Sequence, residues 1–192
     1  MLLEKLLFTS CLLSGMTRFK ENKTCVEMKP LPGETLLFFC IDNNSKGHSN
    51  CQNCELRKKL WGKEEGQRIC DLLVFYAKDD QIKGNKRVLC FVELKDNKSD
   101  LNDAVEQVIN TYDGIKTHLK FTNEYEIKAF LIGHHGTPPI KSIQNELEQR
   151  FGTNNYLYDG KASQFPQFLR GEETLNNSTR KKKKQNRRNK NK

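Results

Sequence analysis

Two apolar runs that each carry an ionisable group constrain this chain more than any other feature of its sequence. The runs at 69–77 and 88–95 are rich in Val, Leu, Ile, Phe and Tyr, and the segment 78–87 between them is polar. This composition predicts two β-strands joined as a hairpin. The first run contains Asp71, and the second ends in Glu93-Leu94-Lys95. Charged groups are therefore expected inside strands that are otherwise suited to a core.

The hairpin is expected to bring these charged groups together. If its loop is centred near Ile82, antiparallel pairing sets Asp71 opposite Glu93 or one residue away, where Cβ atoms are roughly 4.5–5.5 Å apart. Side chains alternate between the two faces of a strand, so Glu93 and Lys95 share one face. Two carboxylates this close do not both ionise readily unless a cation neutralises them. The sequence therefore predicts a site for a divalent metal ion.

An Asp on one strand and a Glu-x-Lys on the next is the pattern by which this chain resembles the PD-(D/E)XK, or restriction-endonuclease-like, superfamily of nucleases. Asp71, Glu93 and Lys95 stand at the three signature positions, and Cys70 replaces the proline that names the motif. The resemblance extends over about 69–133, roughly a third of the chain. In the family a helix with a glutamine follows the strand pair, and Gln107 stands in the corresponding segment here.

The resemblance implies both a fold and a reaction. The fold is α/β (α+β), with a restriction-endonuclease-like core in which a mixed central sheet is flanked by helices. Asp71, Glu93 and the backbone carbonyl of Leu94 would hold Mg²⁺ or Mn²⁺, ions that prefer oxygen ligands. Lys95 would orient and help to deprotonate the attacking water, and Gln107 would contact the metal-bound water or a phosphate. The expected activity is hydrolysis of nucleic acid, with DNA favoured, to a 5′-phosphate and a 3′-hydroxyl.

Further acids and histidines are candidates for the same site. In the family the helix that precedes the strand pair often donates another acid to the metal, and Glu55, Glu64 and Glu65 are the candidates here. His134 and His135 follow the strand predicted at 125–133. We expect the two histidines to lie in a loop near the substrate.

The cysteines predict a second, structural metal site. Cys51-x-x-Cys54 has the spacing of a zinc knuckle, Cys40 is a natural third ligand, and the fourth is either His48 or Cys70. With seven cysteines and no recognisable secretory signal, we expect reduced thiols and Zn²⁺ rather than disulfides. An iron–sulfur cluster is an alternative, although its usual cysteine spacing is not matched. The other alternative is no metal, with the remaining cysteines packed in the core.

The net charge of the chain lies in its C-terminal tail. Nine of the 33 Lys and Arg residues fall within 180–192, and the other 24 balance the 24 acids, so the tail accounts for the net charge of +9. A neutral body with a polycationic arm predicts salt-dependent binding to nucleic-acid phosphates. The alternative is a tail that serves solubility, ribosome adhesion or nuclear import. The expected phosphate contacts are Arg180, Lys181, Lys182, Lys183, Lys184, Arg187 and Arg188.

The chain is expected to form one nuclease-like domain at 1–172, with an inserted Cys-rich loop at 40–54 and a disordered basic tail at 173–192. The opening residues are predicted to form an amphipathic helix or a buried strand, and 22–33 a linker or turn. The other predicted elements are a strand at 34–42, a helix at 55–67, a helix at 99–119, a strand at 125–133 parallel to the Glu-x-Lys strand, a helix at 142–151 that stops at Gly152, and a strand with covering residues at 156–169.

Two other functions compete with the nuclease. One is a non-catalytic module that binds nucleic acid or docks a partner through the Cys-rich loop and the tail. The other is a zinc-stabilised adaptor in which the carboxylates only cap a salt-bridge network, and this function predicts no dependence on Mg²⁺. Intact Asp71, Glu93 and Lys95 favour the nuclease.

Size and resemblance together predict the setting in which the nuclease acts. A chain this small is expected to depend on a partner protein or on a homodimer to choose its target. The resemblance suggests a subunit of a prokaryotic defence or mobile-element system. No apolar run reaches the roughly 18–20 residues that a membrane span needs, so we expect a cytoplasmic protein without a membrane partner.

Overall fold

A computed structural model of the chain describes residues 2–42, 68–79, 84–96, 101–119, 124–132 and 140–172. The helices and strands in these ranges are, in chain order, α1 (Leu2–Leu7), β1 (Leu12–Leu13), β2 (Arg18–Glu21), β3 (Thr24–Glu27), β4 (Glu34–Cys40), β5 (Leu72–Lys78), β6 (Lys86–Leu94), α2 (Leu101–Leu119), β7 (Glu126–Ile132), α3 (Lys141–Phe151), β8 (Tyr156–Gly160), a 3₁₀ turn (Ala162–Gln164) and α4 (Phe165–Arg170).

Six of the strands form one mixed sheet in the order β1-β4-β5-β6-β7-β8. The pairs β1–β4, β4–β5 and β5–β6 are antiparallel, whereas the pairs β6–β7 and β7–β8 are parallel. A parallel pair requires a crossover connection, and α2 lies in the connection between β6 and β7. The prediction of a mixed sheet flanked by helices is confirmed.

Both faces of the sheet are covered, which explains why β5 and β6 are continuous apolar runs rather than alternating ones. On one face, which we call the α2 face, the sheet packs against the buried sides of α2 and α3. On the opposite face it packs against the hairpin of β2 and β3 and against α4. The core residues Leu73 and Phe91 lie in the α2-face cluster, and Leu72 and Val92 lie in the other.

The N-terminal region differs from the prediction. The opening residues form both a short helix and a short strand, α1 and β1. The segment 18–27 is a β-hairpin, so the predicted linker at 22–33 was wrong in its first half. The turn of this hairpin is Asn22-Lys23, and Asn22 has φ 49°, in the left-handed region that Asn adopts more readily than most residues. The buried side chains of Phe19 and Val26 hold the hairpin on the sheet.

The other predicted elements that lie within the described ranges are confirmed. The strand at 34–42 is β4, the helix at 99–119 is α2, the strand at 125–133 is β7 and is parallel to β6, and the helix at 142–151 is α3. Helix α3 stops at Gly152, which has φ 81°. The predicted helix at 55–67, most of the Cys-rich loop, the histidine pair and the basic tail lie outside the described residues. None of the helices in the described part of the chain is both long and apolar enough to cross a membrane.

Helix α2 is tied to the start of β5 through a buried threonine. Thr111 is fully buried, and its hydroxyl oxygen accepts the backbone N–H of Cys70 at 2.8 Å while its O–H donates to the carbonyl of Gln107 at 2.7 Å. Cys70 immediately precedes Asp71. This contact therefore fixes the backbone from which the Asp71 side chain projects.

We predict that Thr111→Val lowers the free energy of unfolding by about 1–3 kcal/mol, because the buried N–H of Cys70 loses its acceptor. Thr117→Val is a matched control, since Thr117 makes the same bond to a carbonyl four residues earlier in α2 but is exposed. Urea unfolding of both variants measures the difference. Equal, small effects of the two substitutions would contradict the importance assigned to this contact.

Candidate metal site at the end of the central hairpin

The pairing of β5 with β6 sets the two predicted acids against each other. Leu72 pairs with Val92, which is the register predicted for a loop centred near residue 82. One step further along this register, the N–H of Asp71 donates to Oε2 of Glu93 at 3.0 Å. The N–H of Leu94 donates to Oδ2 of Asp71 at 2.8 Å. Each carboxylate is therefore oriented by the backbone of the strand that carries the other.

Lys95 completes this arrangement. Its Nζ lies 2.6 Å from Oε1 of Glu93, whose side chain is fully buried, and 20% of the Lys95 side chain is exposed. Asp71 is 3% exposed. Lys95 thus connects two buried acids to the surface, and the structure brings all three signature residues into one site.

Burial changes the acidity of these groups. It raises the pKa of Glu93 to about 8, even though the charge of Lys95 and its hydrogen bond act in the opposite direction. It also raises the pKa of Asp71 well above its usual value, and the carboxylates of Glu93 and Glu21 add to this increase. Burial is the largest single influence on Lys95 and lowers its pKa, but the charge and hydrogen bond of Glu93, together with the charges of Asp71 and Glu21, outweigh it, so the pKa is raised. Burial therefore disfavours the ionised forms of Asp71 and Glu93, and a bound cation would offset this cost.

Glu21 is a third acid of the site, and the sequence analysis missed it. It is the last residue of β2, and its contact with Asp71 contributes to the raised pKa of that residue. Its Oε2 is buried and has no hydrogen-bond partner. The sequence signal that could have identified Glu21 is the alternation of β2, which places Phe19 and Glu21 on the same face of the strand. The further acids expected at Glu55, Glu64 and Glu65 lie outside the described residues.

Gln107 lies where the resemblance places it, on α2 beside the start of β5. Its Nε2 donates to the carbonyl of Ile69 at 3.3 Å, and its Oε1 is buried without a hydrogen-bond partner. A buried amide oxygen without a donor is an unusual and costly state. The oxygen is free to accept a hydrogen bond from a bound water, so the role expected of Gln107 stays a prediction with a compatible geometry. The role of the Leu94 carbonyl likewise stays a prediction.

The cysteines differ from the prediction. Cys11 and Cys40 are disulfide-bonded, whereas Cys25, Cys70 and Cys90 are free. The expected reduced state is therefore wrong for Cys11 and Cys40. A zinc ligand must be a thiolate, and the role of Cys40 as a ligand stays a prediction.

Cys70, the alternative fourth zinc ligand, packs in the α2-face cluster, whereas Cys40 packs in the cluster on the opposite face. Their common site stays a prediction. The thiol of Cys70 is buried, and burial raises its pKa well above its usual value, which disfavours a free thiolate there. The other predicted zinc ligands, His48, Cys51 and Cys54, lie outside the described residues, as do the basic residues of 180–192.

The donor set of the site suits a hard divalent cation. Asp71, Glu93 and Glu21 offer carboxylate oxygens, which Mg²⁺ and Mn²⁺ prefer. Three buried oxygens, Oε2 of Glu21, Oε1 of Gln107 and Oε1 of Glu93, have no hydrogen-bond partner, although the last lies 2.6 Å from Nζ of Lys95 in an ion pair. Across the described ranges, no group of three His, Cys, Asp or Glu side chains is already arranged around a single point as metal ligands. Binding would therefore require the Glu93 carboxylate to exchange its contact with Lys95 for one with the cation.

We predict that the metal-free protein loses stability relative to a Glu93→Gln variant as the pH rises from about 4.5 to about 8. An acid whose pKa is raised by folding binds more protons in the folded state, so its contribution to stability declines as the pH rises through the folded pKa. The Glu93→Gln variant has no ionisable group at this position, so its stability lacks this dependence on pH. Urea unfolding of both proteins in EDTA across this pH range measures the difference, and a difference that does not change with pH would contradict the assignment.

Comparison of the chain with known proteins identifies no relative. No family model matches the sequence, no curated protein matches it, and no solved structure matches the fold. The interpretation of this site therefore depends on its own geometry and on the residues of the motif.

Proposed function

We propose that the protein is a metal-dependent nuclease with a restriction-endonuclease-like core that hydrolyses phosphodiester bonds, with DNA as the favoured substrate. The observation that carries the proposal is the convergence of Asp71, Glu93 and Lys95. Each acid accepts a backbone hydrogen bond from the opposite strand, Glu93 from the N–H of Asp71 and Asp71 from the N–H of Leu94, and Nζ of Lys95 lies 2.6 Å from Glu93. The antiparallel strands β4, β5 and β6, followed by α2 and the parallel strand β7, support the same core.

The carboxylates of Asp71 and Glu93 would hold Mg²⁺ or Mn²⁺, which would polarise the phosphate and make its bound water more acidic. Gln107, through its unpartnered Oε1, would accept a hydrogen bond from a water and so help to orient it. Strands β5 and β6 are buried in the centre of the sheet, so the two acids are held on a rigid support. A rigid support is what a preorganised catalytic site requires.

Lys95 is placed to handle the proton of the attacking water. Its ammonium group is stabilised by the charge of Glu93, which raises its pKa. When the charge of Glu93 is taken up by a cation, this stabilisation weakens while the burial that lowers the pKa remains. The amine then becomes able to accept a proton from the water, and its N–H groups can donate to a phosphate oxygen.

A second candidate function is a non-catalytic module for nucleic acid or for a partner protein. The hydrogen bonds that Asp71 and Glu93 receive, and the ion pair of Glu93 with Lys95, favour it, because they satisfy much of the site without a metal. In that case the tail at 180–192 would supply the affinity for phosphates. Either proposal also includes a partner protein or a homodimer, and a place in a defence or mobile-element system.

The test is cleavage of plasmid, linear duplex, single-stranded DNA and RNA in Mg²⁺ or Mn²⁺, compared with EDTA. We expect metal-dependent cleavage by the native protein and a loss of roughly 100-fold or more in Asp71→Asn, Glu93→Gln and Lys95→Ala. Asp113→Asn is the matched control, because Asp113 is an exposed acid of α2 that pairs with Arg150 and not with a residue of the motif. The folded state of each variant is checked by circular dichroism.

The outcomes separate the two functions. Cleavage that persists in Asp71→Asn and Glu93→Gln would place the chemistry elsewhere and contradict the proposal. DNA binding without cleavage under any metal condition would favour the non-catalytic module.

A further inference from the structure

We infer that Glu21 is a third carboxylate ligand of the metal site and that the hairpin of β2 and β3 positions it there. The inference rests on the proposed function, because it assigns a further residue to that same site. It adds an acid that lies outside the motif and comes from a different sheet.

The direction of the Glu21 side chain follows from the alternation of β2. Phe19 is fully buried, whereas its neighbours Arg18 and Lys20 are exposed, so Glu21 lies on the inward face with Phe19. Glu21 pairs with Thr24, whose hydroxyl is bonded to Asp96, so it lies near the strand end that carries Lys95, and its carboxyl group helps to raise the pKa of Asp71. Its Oε2 is buried without a hydrogen-bond partner, although the residue as a whole is partly exposed.

The turn of the hairpin is anchored to the strand end that carries Lys95. The hydroxyl of Thr24 donates to Oδ1 of Asp96 at 2.6 Å, and the N–H of Lys23 lies 3.3 Å from both oxygens of the same carboxylate. Asp96 directly follows Lys95. Hydrogen bonds to a carboxylate are stronger than those between neutral groups. The anchor therefore holds Glu21 at a fixed distance from the motif.

A purely structural role does not account for Glu21. A buried oxygen without a partner costs about 1–3 kcal/mol, and a third acid beside Asp71 and Glu93 adds electrostatic repulsion. Three acids facing one lysine leave an excess of negative charge when they ionise. A hard divalent cation removes both costs, because it supplies a partner for the unpaired oxygen and neutralises the excess charge.

The two roles predict different effects of Glu21→Gln on the affinity for the cation. If Glu21 is a metal ligand, Glu21→Gln weakens binding of the cation. If Glu21 only shares a hydrogen bond with Asp71, the amide keeps that bond and the affinity for the cation does not change.

The experiment is a titration of the full-length protein with Mn²⁺ at pH 7.5. Binding is measured by isothermal titration calorimetry and by the loss of the electron paramagnetic resonance signal of free Mn²⁺. We expect Glu21→Gln to weaken binding about 10-fold or more. Thr24→Val is expected to weaken it as well, because it removes a bond to Asp96 without altering any carboxylate. Glu27→Gln is the control, since Glu27 is an exposed acid of the same hairpin, close to Arg18.

The results distinguish this inference from the proposed function. Unchanged Mn²⁺ affinity in Glu21→Gln, together with lost affinity in Asp71→Asn, would overturn the inference and leave the proposed metal site in place. A native protein that binds no Mn²⁺ would overturn both. Equal weakening in Glu21→Gln and Glu27→Gln would reduce the effect to general surface charge and would also overturn the inference.

Discussion

The register between β5 and β6 is the constraint on which the rest of the site depends. Because side chains alternate along a strand, a slip of one residue would move the apolar side chains of β5 to the wrong face and separate Asp71 from Glu93. The core on both faces of the sheet prevents that slip, since Leu73 and Phe91 belong to one buried cluster and Leu72 and Val92 to the other. The packing of the core and the geometry of the acids are therefore fixed by the same pairing.

This arrangement has a cost in free energy, because it buries ionisable groups within the core. Glu93 is fully buried and Asp71 nearly so, and burial raises the pKa of each. The backbone N–H groups of Asp71 and Leu94, together with Lys95, offset part of this cost. Sites that keep buried, incompletely satisfied acids are more often functional than structural. Here three acids face one lysine, and a divalent cation would balance the excess of negative charge that they carry when ionised.

The central part of the fold was predictable from sequence because its signals are local and strong. Two apolar runs with a polar break predicted β5, β6 and their register, and the helical spacing of apolar residues predicted α2. The β2–β3 hairpin was missed because its strands have only four residues each and its turn, Asn22-Lys23, lacks the Asn-Gly signature. Glu21 was missed with it, since its approach to Asp71 depends on a contact between distant parts of the chain. The state of Cys40 was also mispredicted, because it depends on which cysteines meet in space.

The most direct test of the account is the number of protons released when Mn²⁺ binds near pH 7. It is measured by calorimetry in buffers of different ionisation enthalpy. If the cation replaces protons held by the buried acids, the native protein should release about one proton or more per ion bound, because the ligands must be deprotonated. Binding without proton release would show that the acids are already ionised, and it would contradict the claim that burial raises the pKa values of Asp71 and Glu93.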